Sequence, residues 1–173
     1  YIDGADLFIN ENLESQLLSG IGRAFGVELF VKKNTGRFTG WVSYTLGKSE
    51  LKVDGVNYGN DRQNRSGQWY PTRFDQRHNL KIASFYDVSK RVSMSANFAF
   101  LTGTPTTFPT DRIVMQGYVI PYVNGSLRNN FRIPAYHRLD VSITIKNVWR
   151  GKKGRKGEDD LVVSLYNLYA RKN

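Results

Sequence analysis

The stretch Arg23–Leu46 alternates, and the length of that alternation decides what it can build. In its first arm Phe25, Val27, Leu29 and Val31 fall on one face and Glu28 and Lys32 on the other, with Phe30 as the exception. In its second arm Phe38, Val42, Tyr44 and Leu46 share a face against Thr39, Ser43 and Thr45. Between them Asn34-Thr35-Gly36-Arg37 supplies residues that tolerate the positive φ of a hairpin turn. Successive side chains of a strand point to opposite sides, so the two arms predict an antiparallel pair with one dry and one wet face. Strands of ordinary globular proteins run about five or six residues, whereas a tilted strand needs about ten to cross a bilayer. Each arm has about ten residues, which gives this hairpin transmembrane dimensions.

The same pattern recurs. Gln76, His78, Leu80, Ile82, Ser84, Tyr86 and Val88 alternate against Arg77, Asn79, Lys81, Ala83 and Phe85. After a short turn at 87–91, Val92, Met94, Ala96, Phe98 and Phe100 alternate against Ser93, Ser95 and Asn97. Leu139, Val141, Ile143 and Ile145 do so against Arg138, Asp140, Ser142, Thr144 and Lys146, and a basic turn leads to a last arm over Leu161–Tyr169. The periodicity predicts antiparallel strands near 22–34, 37–49, 74–87, 91–103, 136–147 and 160–169, with almost no helix. The first twenty residues read as one or two helical turns or as the outer part of the next strand. Connections are short at 34–37 and 87–91 but long at 48–73 and 102–135. The first long loop is polar and aperiodic, and Val114–Val123 is expected to form one short strand within the second. Short turns at one end and long loops at the other are the habit of outer-membrane barrels, although the connection at 147–159 is long where a short one is due. The fold class expected is therefore all-β, an antiparallel transmembrane β-barrel. Val27, Leu29, Val42, Tyr44, Leu80, Ile82, Phe98, Val141 and Ile143 should face lipid, and Lys32, Thr39, Ser43, Lys81, Asn97, Ser142 and Thr144 the lumen.

Composition neither forces nor opposes this. Of 173 residues 40% are hydrophobic, and the mean hydropathy of −0.47 would suit a soluble chain. No run of about eighteen apolar residues provides a membrane helix, but a barrel strand turns only alternate residues to lipid. Ten Tyr, ten Phe and three Trp fit interfacial aromatic belts and equally the ordinary preference of strands for aromatics. The absence of cysteine excludes a disulfide framework and a Cys-based zinc site. A net charge of +10 admits nucleic acid or an anionic surface as partner. Part of that charge sits in one block, Arg150–Lys156, which a polar turn explains as well. Tyr1 opens the sequence without Met, basic n-region or apolar h-region, so a signal peptide upstream or an excised piece is expected.

Catalytic motifs are missing. Gly20-Ile21-Gly22-Arg23-Ala24-Phe25-Gly26 is spaced G-x-G-x-x-x-G and runs into a strand, so its glycines mark kinks rather than a phosphate loop. His78 and His137 each open a strand after a long loop, share parity with the apolar face, and have no partner at metal-ligand spacing, which reads as rim histidines. Glu158, Asp159 and Asp160 balance the basic block. Neither a nucleophile elbow nor a Walker loop occurs, so no enzyme, catalytic residue, metal or cofactor is expected. Arg37–Tyr44 partly follows an RNA-recognition pattern, but Phe38 replaces its glycine and Thr39 its stacking aromatic, and the helices of that fold are missing.

The phrases Gly22-Arg23-Ala24-Phe25-Gly26-Val27-Glu28, Lys32-Lys33-Asn34-Thr35-Gly36 and Thr39-Gly40-Trp41-Val42-Ser43-Tyr44, with Arg73–Leu80, Pro134–Asp140 and Tyr166–Asn173, together resemble the TonB-dependent outer-membrane receptor family. The resemblance implies a twenty-two-stranded barrel plugged by an N-terminal domain, in the outer membrane of a Gram-negative bacterium. Such receptors import scarce nutrients (iron chelates, cobalamin, glycans or peptides), driven by the periplasmic energy-coupling protein TonB. Nothing resembles the plug, the coupling box or the terminal aromatic. Residues 1–173 are thus expected to be a segment of the C-terminal part of the barrel, about six strands that cannot close alone. Its expected partners are the remainder of the barrel and its plug, outer-membrane lipid, TonB and an unknown small ligand, but no nucleic acid. A passive porin or adhesin-like barrel is the alternative, and a basic nucleic-acid-binding β domain a lesser one. Ligand contacts do not carry over from the family. From residue type and loop position alone, Trp69, Tyr70, Arg73, Tyr118 and Tyr122 are the candidate ligand-binding residues.

Overall fold

A computed structural model gives the fold and describes residues 18–57, 67–122, 127–148 and 159–172. Among these every regular element is a strand: β1 (Gly20–Lys33), β2 (Phe38–Val53), β3 (Tyr70–Pro71), β4 (His78–Asp87), β5 (Val92–Leu101), β6 (Pro105–Thr106), β7 (Asp111–Met115), β8 (Tyr118–Tyr122), β9 (Phe131–Arg132), β10 (Tyr136–Lys146) and β11 (Asp160–Leu165). The long strands form one sheet in the order β1-β2-β4-β5-β10-β11, with β3 added beside the far part of β2. Strands β6 and β9, and β7 and β8, make separate two-stranded ribbons. The ladders are antiparallel, and among the described residues no pairing of β1 with β11 closes the sheet. No helix among them is long and apolar enough to cross a membrane.

The six predicted strands are present, with corrections at their ends and in the loops. The strand expected from 74 starts only at His78, because Asp75 N–H donates to Thr72 O (3.0 Å) and Phe74 N–H to Thr72 Oγ1 (3.3 Å), folding that segment into a turn. The last strand stops at Leu165 rather than 169. There Asn167 takes φ 52° and its side chain bonds Arg171 O (2.9 Å) and Arg171 N–H (3.2 Å). The loop expected from 48 is strand as far as Val53, since Tyr70 and Pro71 return to pair with Leu51 and Glu50. The single strand expected over Val114–Val123 is a hairpin of β7 and β8. It turns at Gln116 (φ 50°) and Gly117 (φ 84°), the two positive values of a tight hairpin turn. Residues 1–17, the basic block 150–156 and Val123 lie outside the described residues.

The chain divides into two compact units. One contains described residues of Gly26–Gly47, Gln76–Gly103 and the stretch from Pro134 on; the other contains those up to Phe25 and of Lys48–Asp75 and Thr104–Ile133. In the first, register fixes which side chains share a face. Val42, Ile82, Phe98 and Leu139 stand in one row across four strands, and Phe38, Tyr86, Met94 and Ile143 in another. Gly40, Ser84, Ala96 and Val141 lie between those rows. The rows of opposite parity read Trp41, Ala83, Asn97, Asp140 and Ser43, Lys81, Ala99, Arg138, and Ser95 and Ser142 join hydroxyls at 2.7 Å on the same side. Phe30, out of step in the sequence, meets Trp41 with ring centroids 6.1 Å apart. One face is thus apolar and the other polar. Among the described residues no second layer covers the apolar one. Among the described residues the only buried hydrophobic side chains are Val53, Val56 and Ala83, while Val27, Leu29, Val42, Met94, Ile143 and Ile145 are exposed.

Candidate functional site

In the unit that contains the long loops, three polar clips shape one concave site. Arg132 reaches Asp75 with Nη2 to Oδ2 at 2.5 Å and Nη1 to the backbone O at 2.9 Å. Asp75, only 3% exposed, also accepts Ser49 N–H at 2.7 Å, and Thr72 N–H donates to Ser49 O at 2.9 Å. The turn before β4 is thereby fastened to β2 and to β9. The second clip is Asn129, whose Nδ2 donates to Pro71 O at 2.7 Å while its N–H donates to Thr107 Oγ1 at 3.0 Å. Asn57 makes the third: its amide accepts from Arg128 N–H (2.6 Å) and donates to Arg128 O (3.0 Å), as a neighbouring strand would. Both Asn57 and Asn129 sit at φ 52°, a left-handed conformation in which asparagine is enriched.

Asn129 and Arg128 from these clips line a cavity of ≈ 790 Å³, together with residues that include Tyr70, Arg73, Phe74, Thr106 and Ile133. Ligand pockets commonly span about 300–1,000 Å³, so the size suits a small molecule. Of the sequence candidates, Tyr70 and Arg73 line it together. Trp69 does not. Its ring lies under the Arg23 guanidinium, 4.0 Å from Cζ, and Arg23 in turn donates Nε and Nη2 to Glu50 Oε2 at 2.8 and 2.6 Å. Tyr118 and Tyr122 stand on β8, 75% and 47% exposed, and are not among the cavity's lining residues.

Glu50, 7% exposed, has the Lys48 ammonium 2.6 Å from Oε1 as well. That hydrogen bond is the largest influence on its carboxyl; burial opposes it, Arg23 reinforces it, and the group is held below the ordinary carboxylate range. In this cluster both cations are engaged by one buried carboxylate. Sequence reasoning missed Asn57, Asp75, Asn129 and Arg132 because the partners that make these clips lie 22 to 71 residues away. The asparagines alone carried a usable signal, as residues suited to positive φ in a polar loop.

The histidines sit on the apolar face of the other unit. His78 Nδ1 and the Tyr44 hydroxyl share a hydrogen bond of 2.8 Å, and His137 Nδ1 and the Tyr169 hydroxyl one of 2.7 Å. Arg171 also contacts His137 Nε2. Among the described residues no group of three His, Cys, Asp or Glu is placed to hold a metal ion. Comparison with protein families, with curated proteins and with solved structures found no match.

Proposed function

We propose that this chain supplies strands to an outer-membrane β-barrel of the TonB-dependent receptor kind, importing a scarce nutrient by energy-coupled transport. The observation that carries the membrane part is the uncovered apolar face running across the sheet, row upon row, opposite a polar face with Lys81, Asn97, Arg138 and Asp140. Leaving such a face in water is unfavourable by about 25 cal/mol per Å² of apolar area, and lipid removes that cost without a second protein layer. The dimensions support it. From Phe38 to Leu46 the apolar face runs eight residue steps, about 26 Å along a strand and roughly 20 Å of height at barrel tilt, close to the 25 Å apolar band of such barrels. Aromatic and basic groups flank it: Tyr44, His78 and His137 towards one end, and Tyr86 beneath the Arg37 guanidinium (5.8 Å) at the other. Interfacial belts use such residues.

The import part rests on the resemblance of the strand phrases to the receptor family, which brings with it the plug, TonB and a ligand at the loop end. Spin labels placed singly along 80–83 and 96–99 in liposomes test the membrane part. Labels at 80, 82, 96 and 98 should collide with oxygen, and those at 81, 83, 97 and 99 with a water-soluble nickel complex. Loss of oxygen access at the first set, through burial in a protein interior, would replace the barrel by a soluble sandwich. Uptake in cells tests the import part: accumulation should stop when the proton gradient is dissipated, whereas a passive porin would be indifferent.

A further inference from the structure

The 790 Å³ cavity is one-sided in charge. Its described lining includes two arginines, Arg73 and Arg128, and no carboxylate. Neighbouring acids of the same unit are engaged elsewhere: Asp75 by Arg132 and Ser49, Glu50 by Arg23 and Lys48, Asp54 by Gly67 N–H. Arg73 is exposed, and its guanidinium lies over the ring of Phe74, 5.5 Å from Cζ. Phe74 itself is 79% exposed. Such exposure is costly for a phenyl ring in water, and it is productive when a flat ligand covers the ring. The lining also includes Leu51, Pro105 and Ile133 as apolar surface, with Thr72, Thr104, Thr106 and Thr107 as hydroxyl-bearing residues. A guanidinium binds carboxylate or phosphate through two parallel N–H donors, and a phenyl face stacks on planar groups.

We propose that this cavity binds a ligand bearing a carboxylate or phosphate on a flat apolar framework, with Arg73 holding the oxyanion and Phe74 and Tyr70 the framework. The proposal rests on the reading of the loop end as a ligand site and names the ligand's chemistry. The binding itself requires neither membrane nor energy source.

Isothermal titration of the protein in detergent tests it with four probes: 1-naphthoate, 1-naphthyl phosphate, neutral 1-naphthol and inorganic phosphate. At least one of the two naphthyl anions should bind about tenfold to a hundredfold more tightly than 1-naphthol, the range of a charged hydrogen bond. Which of the two is tighter tells carboxylate from phosphate. R73Q should remove the advantage over 1-naphthol and R73K restore part of it. F74A should weaken every naphthyl probe and leave inorganic phosphate unchanged. Equal affinity of the unaltered protein for 1-naphthol and both anions would overturn the proposal, as would anion binding that R73Q leaves intact. Should naphthyl anions bind through Arg73 while no energy-dependent uptake exists, the ligand class stands and the import reading falls. Energy-dependent uptake without any preference for the anions gives the reverse.

Discussion

Two residues show how much single positions decide. Gly40 has φ 151°, and a Cβ there would lie 2.2 Å from Ala83 O and 3.0 Å from Ser84 Cα, the backbone of its partner strand. Gly36 also has a positive φ, 92°, but open space around it. Gly40→Ala should therefore cost about 2 kcal/mol or more, through strain and a displaced ladder, while Gly36→Asn, strained at that φ but meeting no neighbouring atom, should cost less, about 1 kcal/mol. Denaturant midpoints of the detergent-folded variants measure both. Glu50 makes a prediction about pH. Its folded carboxyl titrates below the ordinary range, so its ion pairs contribute stability above the unfolded value and lose it as pH falls through the folded one. Arg23 is 44% exposed along its side chain, so solvent screens the gain to on the order of 1 kcal/mol. Thermal midpoints at pH 7 should place Glu50→Gln below the parent, and the gap should narrow as the pH falls below the ordinary carboxylate range. The sequence disclosed neither residue's role. Gly40 looked like any strand glycine, and Glu50 like a polar loop residue, because the atoms that constrain them belong to β4, to Lys48 and to Arg23.

At the scale of elements, the long strands were legible because period-two alternation is a local property, written in each arm without reference to its neighbours. Turns that depend on long-range bonds were not. The end of β2 is strand only because Tyr70 and Pro71 pair with it, and the start of β4 is delayed by Thr72 and Asp75. The candidate site divides along the same line. Tyr70 and Arg73, singled out by type and place, line the cavity, whereas Trp69 was claimed by Arg23, Asn57 and Asn129 showed only as residues suited to positive φ, and Arg132 left no local trace. The faces themselves yield a prediction. Ile82 and Phe98 are directly paired in the apolar row, and Asn97 belongs to the opposite face. In a bilayer, Ile82→Arg or Phe98→Arg should cost roughly 2–4 kcal/mol near the midplane, and Asn97→Arg well under 1 kcal/mol. Unfolding titrations from lipid vesicles give the comparison. Equal costs on the two faces would remove the distinction between lipid side and lumen side.

For the whole molecule the decisive feature is what borders the sheet. Strands β2, β4, β5 and β10 each have neighbours on both sides, but β1 and β11 have one each among the described residues. An outer edge exposes backbone N–H and C=O groups, and in hydrocarbon each unpaired group costs several kcal/mol. β1 runs for fourteen residues, so a bare edge of that length cannot persist in a membrane. If the sheet lies in a membrane as proposed, the barrel has to continue past β1 and β11, through further strands of the same polypeptide or through another chain. Six strands also cannot enclose a channel, since even eight leave little interior space. Residues 1–173 expressed alone and refolded in detergent should accordingly give no monodisperse six-stranded monomer. Edge pairing between copies should produce dimers and larger species in light scattering. Amide exchange should be slowest in β4 and β5, and fast along the unpaired sides of β1 and β11. A single heat-modifiable monomer, with β1 and β11 protected as strongly as β4, would mean that the two edges meet each other, and the larger barrel would then be the wrong architecture.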